Sequence, residues 1–276
     1  MGRLPVYCII VFWSESKQKS IMSPINNQSI ATFQVCIPSG TSIAVSVEWD
    51  GEFGISFVCS EVIEAETHAA IQYIWQCLQD AAIPGLLDII PAYHTITILF
   101  DPEIWNNRSQ GASLSLTLIP ALLQQLQTPS NLVNSVARKI SIPVCYDVSM
   151  APDLYTLADW VGCTPEEVIA LHVNTSYSVY MLGFLPGFAY MGTVDARIAA
   201  PRHQRPRKNV APGSVGIAAQ QTGIYPTASP GGWQLIGRTP LRMWMPEQSN
   251  PCFLQPGDAV QFYPISLNEF HQLASA

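Results

Sequence analysis

The hydrophobic and polar positions of the first half change period several times along the chain. Apolar side chains alternate with polar ones, or follow one another without interruption, over residues 31–36 and 42–49. This pattern predicts a strand in each of the two segments. Residues 61–80 instead carry apolar side chains at helical spacing, so they predict a helix with one buried stripe. That stripe consists of Ile71, Ile74, Trp75 and Leu78. Pro84-Gly85 ends the pattern, since proline removes a backbone donor and glycine favours turns.

Beyond this turn, the pattern predicts two further strands and a second helix. Residues 87–90 and 95–100 are strand-like, and residues 114–127 place three leucines on one helix face. Those leucines are Leu118, Leu122 and Leu126. The order strand, helix, strand, strand, helix is typical of a small α+β sandwich, which we expect for the first half.

The second half opens with a linking segment over residues 131–140 and a predicted strand over 142–146. Residues 153–161 predict a short helix. A second helix is predicted to begin at Thr164-Pro165-Glu166-Glu167, because this sequence combines a capping box with proline at the first helical position.

From Tyr177 onward, the sequence predicts strands and turns to the end of the chain. The clearest strands are residues 215–218, 233–236 and 259–263, and residues 255–258 predict a turn before the last of them. A closed or nearly closed β-barrel buries many short strands without leaving open edges, so we expect a barrel here.

Composition narrows the class of protein. The chain of 276 residues is 48% hydrophobic and 12% charged, which indicates either a large core or apolar surface covered by another chain. Its formal net charge of -7 disfavours a nucleic-acid partner.

Residues 4–13 are apolar but shorter than the roughly 20 residues that span a bilayer, and no A-x-A cleavage site follows. We therefore expect a cytoplasmic protein with no membrane partner, a ragged extension over residues 1–27 and a native start at Met22.

Several self-contained enzymes are disfavoured because their motifs are missing from the sequence. There is no G-x-x-x-x-G-K-[ST] phosphate loop, no G-x-G-x-x-G, no G-x-S-x-G and no H-E-x-x-H. The seven cysteines show no C-x-x-C spacing, which disfavours a disulfide framework or a zinc site. We expect no metal site and no independent P-loop, serine-hydrolase or metallohydrolase chemistry.

Residues 181–240 carry the candidate chemistry, because glycine, proline, aromatic residues and arginine recur there every few positions. Arg202 and Arg207 each follow a proline, which narrows the backbone choices and aims the side chain. Guanidinium groups match carboxylate and phosphate oxygens. The alternative is a solvated loop with weak surface ion pairs.

Further residues of the same segment suit orientation of a small polar ligand beside an apolar wall. They are Phe184, Phe188, Tyr190, Gln221, Thr222, Tyr225 and Trp233. Arg238 follows on the strand of Trp233 and could stack or bind an anion. For the polar residues the alternative is a turn that satisfies its own backbone, and for the aromatic residues it is core packing.

These motifs resemble a known family. The runs GFLPGFAYMG, APR, PR, GSVGIA, QTGIYP and SPGGWQLIGRTP are similar to the family of the 5-oxoprolinase B chain, which includes the sporulation-kinase inhibitor Kip and the allophanate hydrolase subunit 1 domain. Weaker similarity runs from residue 40 through VEW, PAYHTITILFDP, IPVCYD, PDL and EEVIALH, and the resemblance ends near residue 263.

The resemblance implies a fold and a division of the chain. The expected fold class is an α+β N-terminal domain over residues 28–130 followed by a mostly-β cyclophilin-like barrel over residues 131–276.

Three departures from the family's pattern affect loops: the chain has DVSMAPDL where the family has a GGEFGPDL-like loop, Ala211-Pro212-Gly213-Ser214 where PAGS is usual, and Asn209 where an arginine or similar residue is expected.

The resemblance also implies a function. It predicts a subunit of an ATP-dependent 5-oxoprolinase that opens 5-oxoproline to L-glutamate, acting with an A-type homologue and a C-type homologue that has a related barrel. Little activity is expected from the chain alone, and ATP is expected to be shared with the partner subunits. The substrate would be a small carboxylate or lactam. The candidate catalytic residues are His172, Arg202, Arg207 and Arg238.

Two other functions remain open within the resemblance. One is a regulatory inhibitor of a sensor histidine kinase, which would bind its partner through the barrel. The other is a subunit of an allophanate hydrolase or urea carboxylase assembly.

Overall fold

The computed structural model describes residues 29–37, 41–59, 65–80, 83–109, 114–127 and 137–275. The chain divides into two compact units, one formed by residues 1–135 and the other by residues 136–276. The predicted extension over residues 1–27 and the first turn of the predicted helix over 61–80 lie outside the described residues.

In its described residues, the first unit is a five-stranded antiparallel sheet with three helices, in the strand order β1-β2-β3-β5-β4. The strands are β1 (Ser29–Cys36), β2 (Ser42–Trp49), β3 (Gly54–Val58), β4 (Leu86–Pro91) and β5 (Thr95–Phe100). The helices are α1 (Ala65–Asp80), α2 (Pro102–Ser109) and α3 (Leu114–Gln127). Its core contains the predicted helical stripe, with Ile71 and Ile74 fully buried.

Two elements of this unit were missed by the pattern analysis. β3 has only five residues and follows a glycine-containing turn, so its alternation is brief. α2 carries a readable start signal, because Asp101 precedes Pro102 and its carboxylate accepts a hydrogen bond from the Glu103 N–H at 2.9 Å.

The second unit confirms the predicted barrel. Seven strands close in the order β10-β11-β8-β7-β14-β6-β13, and β9 and β12 form a separate two-stranded pair. The barrel strands are β6 (Lys139–Cys145), β7 (Ser176–Leu182), β8 (Ala189–Gly192), β10 (Ser214–Ala218), β11 (Gln221–Ile224), β13 (Gln234–Arg238) and β14 (Ala259–Ile265). The separate pair is β9 (Arg207–Val210) and β12 (Ser229–Gly231).

The barrel is closed by its first and last strands. β14 pairs in parallel with β6 along seven residue pairs, from Ala259 opposite Lys139 to Ile265 opposite Cys145. Its other edge pairs antiparallel with β7. The interior is filled by branched and aromatic side chains, so the barrel is a packed core and not a pore.

Three helices and a short 3-10 turn (Ala196–Ile198) complete the second unit. The helices are α4 (Leu154–Val161), α5 (Pro165–Val173) and α6 (Leu267–Ala274). The predicted capping box of α5 is confirmed: the Glu167 N–H donates to the Thr164 hydroxyl at 3.2 Å, and the Thr164 N–H donates to the Glu167 carboxylate at 2.7 Å. No helix in the described parts of the chain is long and apolar enough to cross a membrane.

The expectation of strands and turns up to the end of the chain was wrong, because the chain enters α6 after β14. Ser266 and Glu269 form a second capping box at its start, a spacing that the sequence already contained. The linking segment predicted over 131–140 extended too far, since β6 begins at Lys139, and residues 131–136 of that segment lie outside the described residues.

Candidate functional site

A pair of glycines on neighbouring barrel strands provides the floor of the candidate site. Gly216 on β10 lies opposite Gly223 on β11. A Cβ atom at Gly223 would lie 3.0 Å from the Phe188 ring and 3.1 Å from the Trp233 ring, and one at Gly216 would lie 3.0 Å from the Trp233 Cβ. Both aromatic residues therefore lie against bare backbone, which side chains at either glycine would obstruct.

Five residues form the surface above this floor, which we call the aromatic–arginine face: Phe188, Tyr190, Arg202, Tyr225 and Trp233. The Phe188 ring lies 4.8 Å from Tyr190, 5.3 Å from Tyr225 and 5.4 Å from Trp233, measured between ring centroids. The Arg202 guanidinium lies 5.9 Å from the Trp233 ring centroid, within cation–π range. Phe188, Tyr225 and Trp233 are buried, whereas Tyr190 and Arg202 reach solvent. The face thus combines a fixed aromatic base with an accessible positive charge.

The two phenols of this face are hydrogen-bond donors at neutral pH. Burial raises the pKa of Tyr190, and the positive charge of Arg202 opposes that shift. Burial also raises the pKa of Tyr225, opposed by a backbone hydrogen bond from Trp233 and by the charges of Arg202 and Arg207. Both hydroxyls therefore remain protonated, and both arginines lie close enough to act on Tyr225 electrostatically.

A buried carboxylate holds the loop that carries the arginines, and sequence reasoning missed it. Asp153 is 4% exposed and lies immediately before α4. Its carboxylate accepts hydrogen bonds from the Leu235 N–H at 2.7 Å and from the Arg207 guanidinium, and it lies 3.2 Å from His203 Nε2. The Asp153 N–H donates in turn to the Leu235 carbonyl at 3.0 Å. The PDL motif at residues 152–154 was the only sequence signal for this role.

Two further candidates border the face. Phe184 is 62% exposed, its ring centroid lies 5.8 Å from that of Phe188, and it has a left-handed backbone with φ of 64°. Left-handed backbone at a non-glycine residue is a strained conformation that concentrates at functional sites. Gln221 is half-buried, and since side chains alternate along β11, it projects to the same side as Gly223 and away from the barrel interior.

His172 and Thr222 lie inside the core and apart from the face. Both are fully buried. The Thr222 hydroxyl donates to the Gly216 carbonyl at 3.1 Å and therefore accepts from His172 Nε2–H at 3.1 Å. His172 Nδ1 then accepts from the Tyr146 hydroxyl at 2.8 Å. This hydrogen-bond chain fixes one neutral tautomer of the imidazole, and burial lowers the pKa of His172 to about 3.

Arg238 also lies apart from the face. It is the last residue of β13, whereas Trp233 directly precedes that strand, so the two backbone positions are about 16 Å apart at the rise of an extended strand. Its guanidinium Nε donates to the Pro212 carbonyl at 2.7 Å, and the group lies over the Phe270 ring. The structure therefore groups Arg202 and Arg207 but separates both His172 and Arg238 from them. Among the described residues, no group of three or more His, Cys, Asp or Glu side chains could hold a metal ion.

Comparison with known proteins assigns the chain to a family. The model of the family described as "Carboxyltransferase domain, subdomain C and D" matches residues 24–254. The chain is 41% identical to the B chain of 5-oxoprolinase from Bacillus subtilis, over 77% of this chain and 88% of that protein. It is 38% identical to the B chain of 5-oxoprolinase from Escherichia coli O157:H7, over 76% of this chain and 93% of that protein.

This chain is also similar to a solved structure. The crystal structure of TTHA0988 is 33% identical with a TM-score of 0.67, and the match covers 77% of this chain and 40% of that one. The chain belongs to the carboxyltransferase subdomain C and D family, among the members that form the B chain of 5-oxoprolinase.

Proposed function

We propose that this chain acts within an ATP-dependent 5-oxoprolinase, which opens 5-oxoproline to L-glutamate together with partner subunits. The proposal rests on family membership, and the observation that supports it in the structure is the aromatic–arginine face. 5-Oxoproline is a small flat lactam with one carboxylate. A guanidinium beside the indole ring of Trp233 offers a partner for the carboxylate, and the indole and phenol rings offer a surface for the lactam.

The reaction needs activation because amide resonance protects the lactam carbonyl. In a first step, the γ-phosphoryl group of ATP would be transferred to the carbonyl oxygen and ADP would leave. In a second step, water would attack the activated carbon, and the C–N bond would break to give the free amine and an acyl phosphate, which a second water hydrolyses to the carboxylate of glutamate and phosphate. Negative charge develops on oxygen atoms in both steps. Arg202 and Arg207 are the residues that we assign to its stabilisation, since Asp153 holds Arg207 and Trp233 supports Arg202.

Arg207 is already paired with Asp153, so Arg202 is the better candidate for direct contact with the substrate. Phe184, Gln221 and Tyr190 complete the proposed ligand contacts. His172 and Thr222 are assigned a positioning role inside the barrel, because neither is accessible.

The rest of the proposal concerns the assembly. We infer an α+β domain over residues 28–130 and a cyclophilin-like barrel over residues 131–276, in a cytoplasmic protein. ATP is bound jointly with A-type and C-type partners, so the isolated chain has little ATP-hydrolysing activity. The missing phosphate-loop motif supports a shared nucleotide site.

Reconstitution with the A-type and C-type homologues tests this proposal. We expect glutamate release from 5-oxoproline only when ATP and all three chains are present. In that assembly, Arg202→Ala should lower kcat/KM about 100-fold, since loss of a charge-assisted hydrogen bond to the substrate costs about 2.7 kcal/mol.

Arg197→Ala is the matched control, because Arg197 is an exposed arginine whose guanidinium forms an ion pair with the neighbouring Asp195. It should leave kcat/KM within about twofold of the unmodified assembly, as expected for a surface ion pair. Equal glutamate release without this chain would contradict the proposed function. Unchanged kinetics of the Arg202→Ala assembly would contradict the assigned site.

A further inference from the structure

A concave site lies at the opposite end of β13 from Trp233. It is a cavity of 540 Å³, which falls within the range of roughly 300–1,000 Å³ that is typical of small-molecule sites. Loops before β10 and after β11, the segment that follows β13, and α6 provide its walls. The polar and charged part of the lining consists of Thr227, Arg238, Thr239 and Arg242.

The charged side chains of this lining are all basic. It contains two arginines, Arg238 and Arg242, and no aspartate or glutamate, although the whole chain has 20 acidic and 13 basic residues. Arg242 pairs with Glu247 at 3.0 Å, and both side chains are more than half exposed, so this pair is weak and can exchange partners. Within the described parts of the chain, no carboxylate pairs with Arg238.

Arg238 is held in place on two sides. Its Nε donates to the Pro212 carbonyl at 2.7 Å, and its guanidinium carbon lies 5.7 Å from the Phe270 ring centroid. No described residue accepts a hydrogen bond from its two terminal nitrogens. Terminal guanidinium nitrogens can engage a carboxylate or phosphate with two parallel hydrogen bonds. The guanidinium is thus oriented before any ligand arrives, which lowers the entropy that binding must overcome.

The wall beside Arg238 is rigid. Gly213 has a left-handed backbone with φ of 79°, and a Cβ atom there would lie 2.2 Å from the Thr239 carbonyl oxygen. Its N–H donates to the Tyr225 carbonyl at 2.7 Å, and its own carbonyl accepts from the Thr239 N–H at 2.9 Å. Only glycine fits this close approach, so the loop and the end of β13 form one fixed surface.

The remainder of the lining is mostly apolar. Trp244, Leu241 and several prolines provide flat or rigid surface beside the charged groups. A cavity with a few oriented polar groups and apolar walls is the usual form of a small-molecule site.

We propose that this cavity binds a small organic oxyanion, whose carboxylate or phosphate engages Arg238 and whose planar or apolar part lies against Trp244 and the proline-rich walls. The site is separate from the aromatic–arginine face and does not depend on the proposed function. Two sources supply such a group: a carboxylate metabolite, or a phosphate such as that of a nucleotide.

Isothermal titration calorimetry of the full chain tests the proposal with four probes: pyrophosphate, ATP, L-glutamate and 5-oxoproline. We expect at least one probe to bind. Binding of pyrophosphate or ATP would identify a phosphate ligand, whereas binding of L-glutamate or 5-oxoproline would identify a carboxylate ligand. Arg238→Gln should weaken binding at least about tenfold, because it removes a charge-assisted hydrogen-bond pair. Binding that persists in Arg202→Gln but is weakened in Arg238→Gln distinguishes this cavity from the aromatic–arginine face, to which the proposed function assigns Arg202.

Two further variants keep the test decisive. Ala228→Trp should abolish binding by filling the cavity while Arg238 remains, which covers the case in which Arg238→Gln fails to fold. Arg197→Gln removes an exposed arginine elsewhere and should change nothing. Absence of binding for all four probes would overturn the proposal. The proposal would also be overturned if binding were lost in Arg202→Gln but kept in both Arg238→Gln and Ala228→Trp.

Discussion

Replacement of Asp153 by alanine should lower the free energy of unfolding by about 3–5 kcal/mol, the range for removing one partner of a buried charge pair. The carboxylate accepts from the Leu235 N–H and from Arg207, and His203 lies beside it. All three groups lose their partner at once, and the Leu235 N–H is buried in the barrel. The loop with Arg202 and Arg207 also loses its attachment to the start of α4, so substrate binding should weaken as well.

Urea denaturation followed by circular dichroism measures the first effect. Asp195→Ala is the matched control, because Asp195 pairs with Arg197 at the surface and its loss should shift the urea midpoint much less than the loss of Asp153. Asp153→Asn separates charge from shape, since it can still accept from the Leu235 N–H and should recover part of the stability. If Asp153→Ala unfolds at the same urea concentration as Asp195→Ala, the carboxylate does not hold the loop.

The second large effect is expected at His172. His172→Leu should lower the free energy of unfolding at neutral pH by about 2–4 kcal/mol, because the buried Tyr146 hydroxyl loses its acceptor and Thr222 loses its donor. The stacking of the imidazole on Phe262, with ring centroids 4.6 Å apart, is lost as well.

The cost of this substitution should depend on pH. The folded pKa of His172 is about 3, against an ordinary value of 6.5, so between these values the unfolded chain binds a proton that the folded chain does not. The stability that His172 contributes is therefore complete above pH 6.5 and is lost as the pH falls toward 3, by about 1.4 kcal/mol per pH unit. His172→Leu lacks this loss, so the difference between the two proteins should shrink as the pH falls.

Urea denaturation at a series of pH values from about 7.5 to about 4.5, which covers the upper part of this range, measures that difference. The exposed His271 of α6 provides the control, and His271→Gln should show a small difference from the unmodified chain at every pH. A gap between His172→Leu and the unmodified chain that is constant with pH would mean that the buried imidazole is protonated at the same pH in both states.

Elements with strong local signals were predicted from the sequence, and elements with short signals were missed. The capping box at Thr164 and the burial of Leu118 and Leu122 on one face of α3 were predicted correctly, since each depends on residues within a few positions. The side chain of Leu126, the third leucine of the predicted face, lies outside the described residues. β3 was missed because five residues give little alternation. α6 was missed although Ser266 and Glu269 have capping-box spacing, because the surrounding strands and turns dominated the interpretation.

The candidate site shows a different limit. Sequence analysis selected Arg202, Trp233 and Tyr190, and the barrel does bring these together. It also selected Arg238, which lies beyond Trp233 at the other end of the strand. Two residues at opposite ends of an extended strand are close in sequence but far apart in space. Asp153 and Arg207, by contrast, are 54 positions apart in the chain and form a hydrogen bond. Such long-range contacts depend on how the barrel closes, and a single sequence does not encode them in a local pattern.

The parallel pairing of β6 with β14 has a consequence for biosynthesis. β6 leaves the ribosome long before the strand that completes its hydrogen bonds, because almost the whole second unit lies between them. Until residue 265 is translated, both β6 and β7 expose an unpaired edge, which is the kind of template that recruits other chains. The nascent barrel should therefore be a substrate for chaperones, and a stop codon before residue 259 should yield an aggregating product and not a smaller folded one.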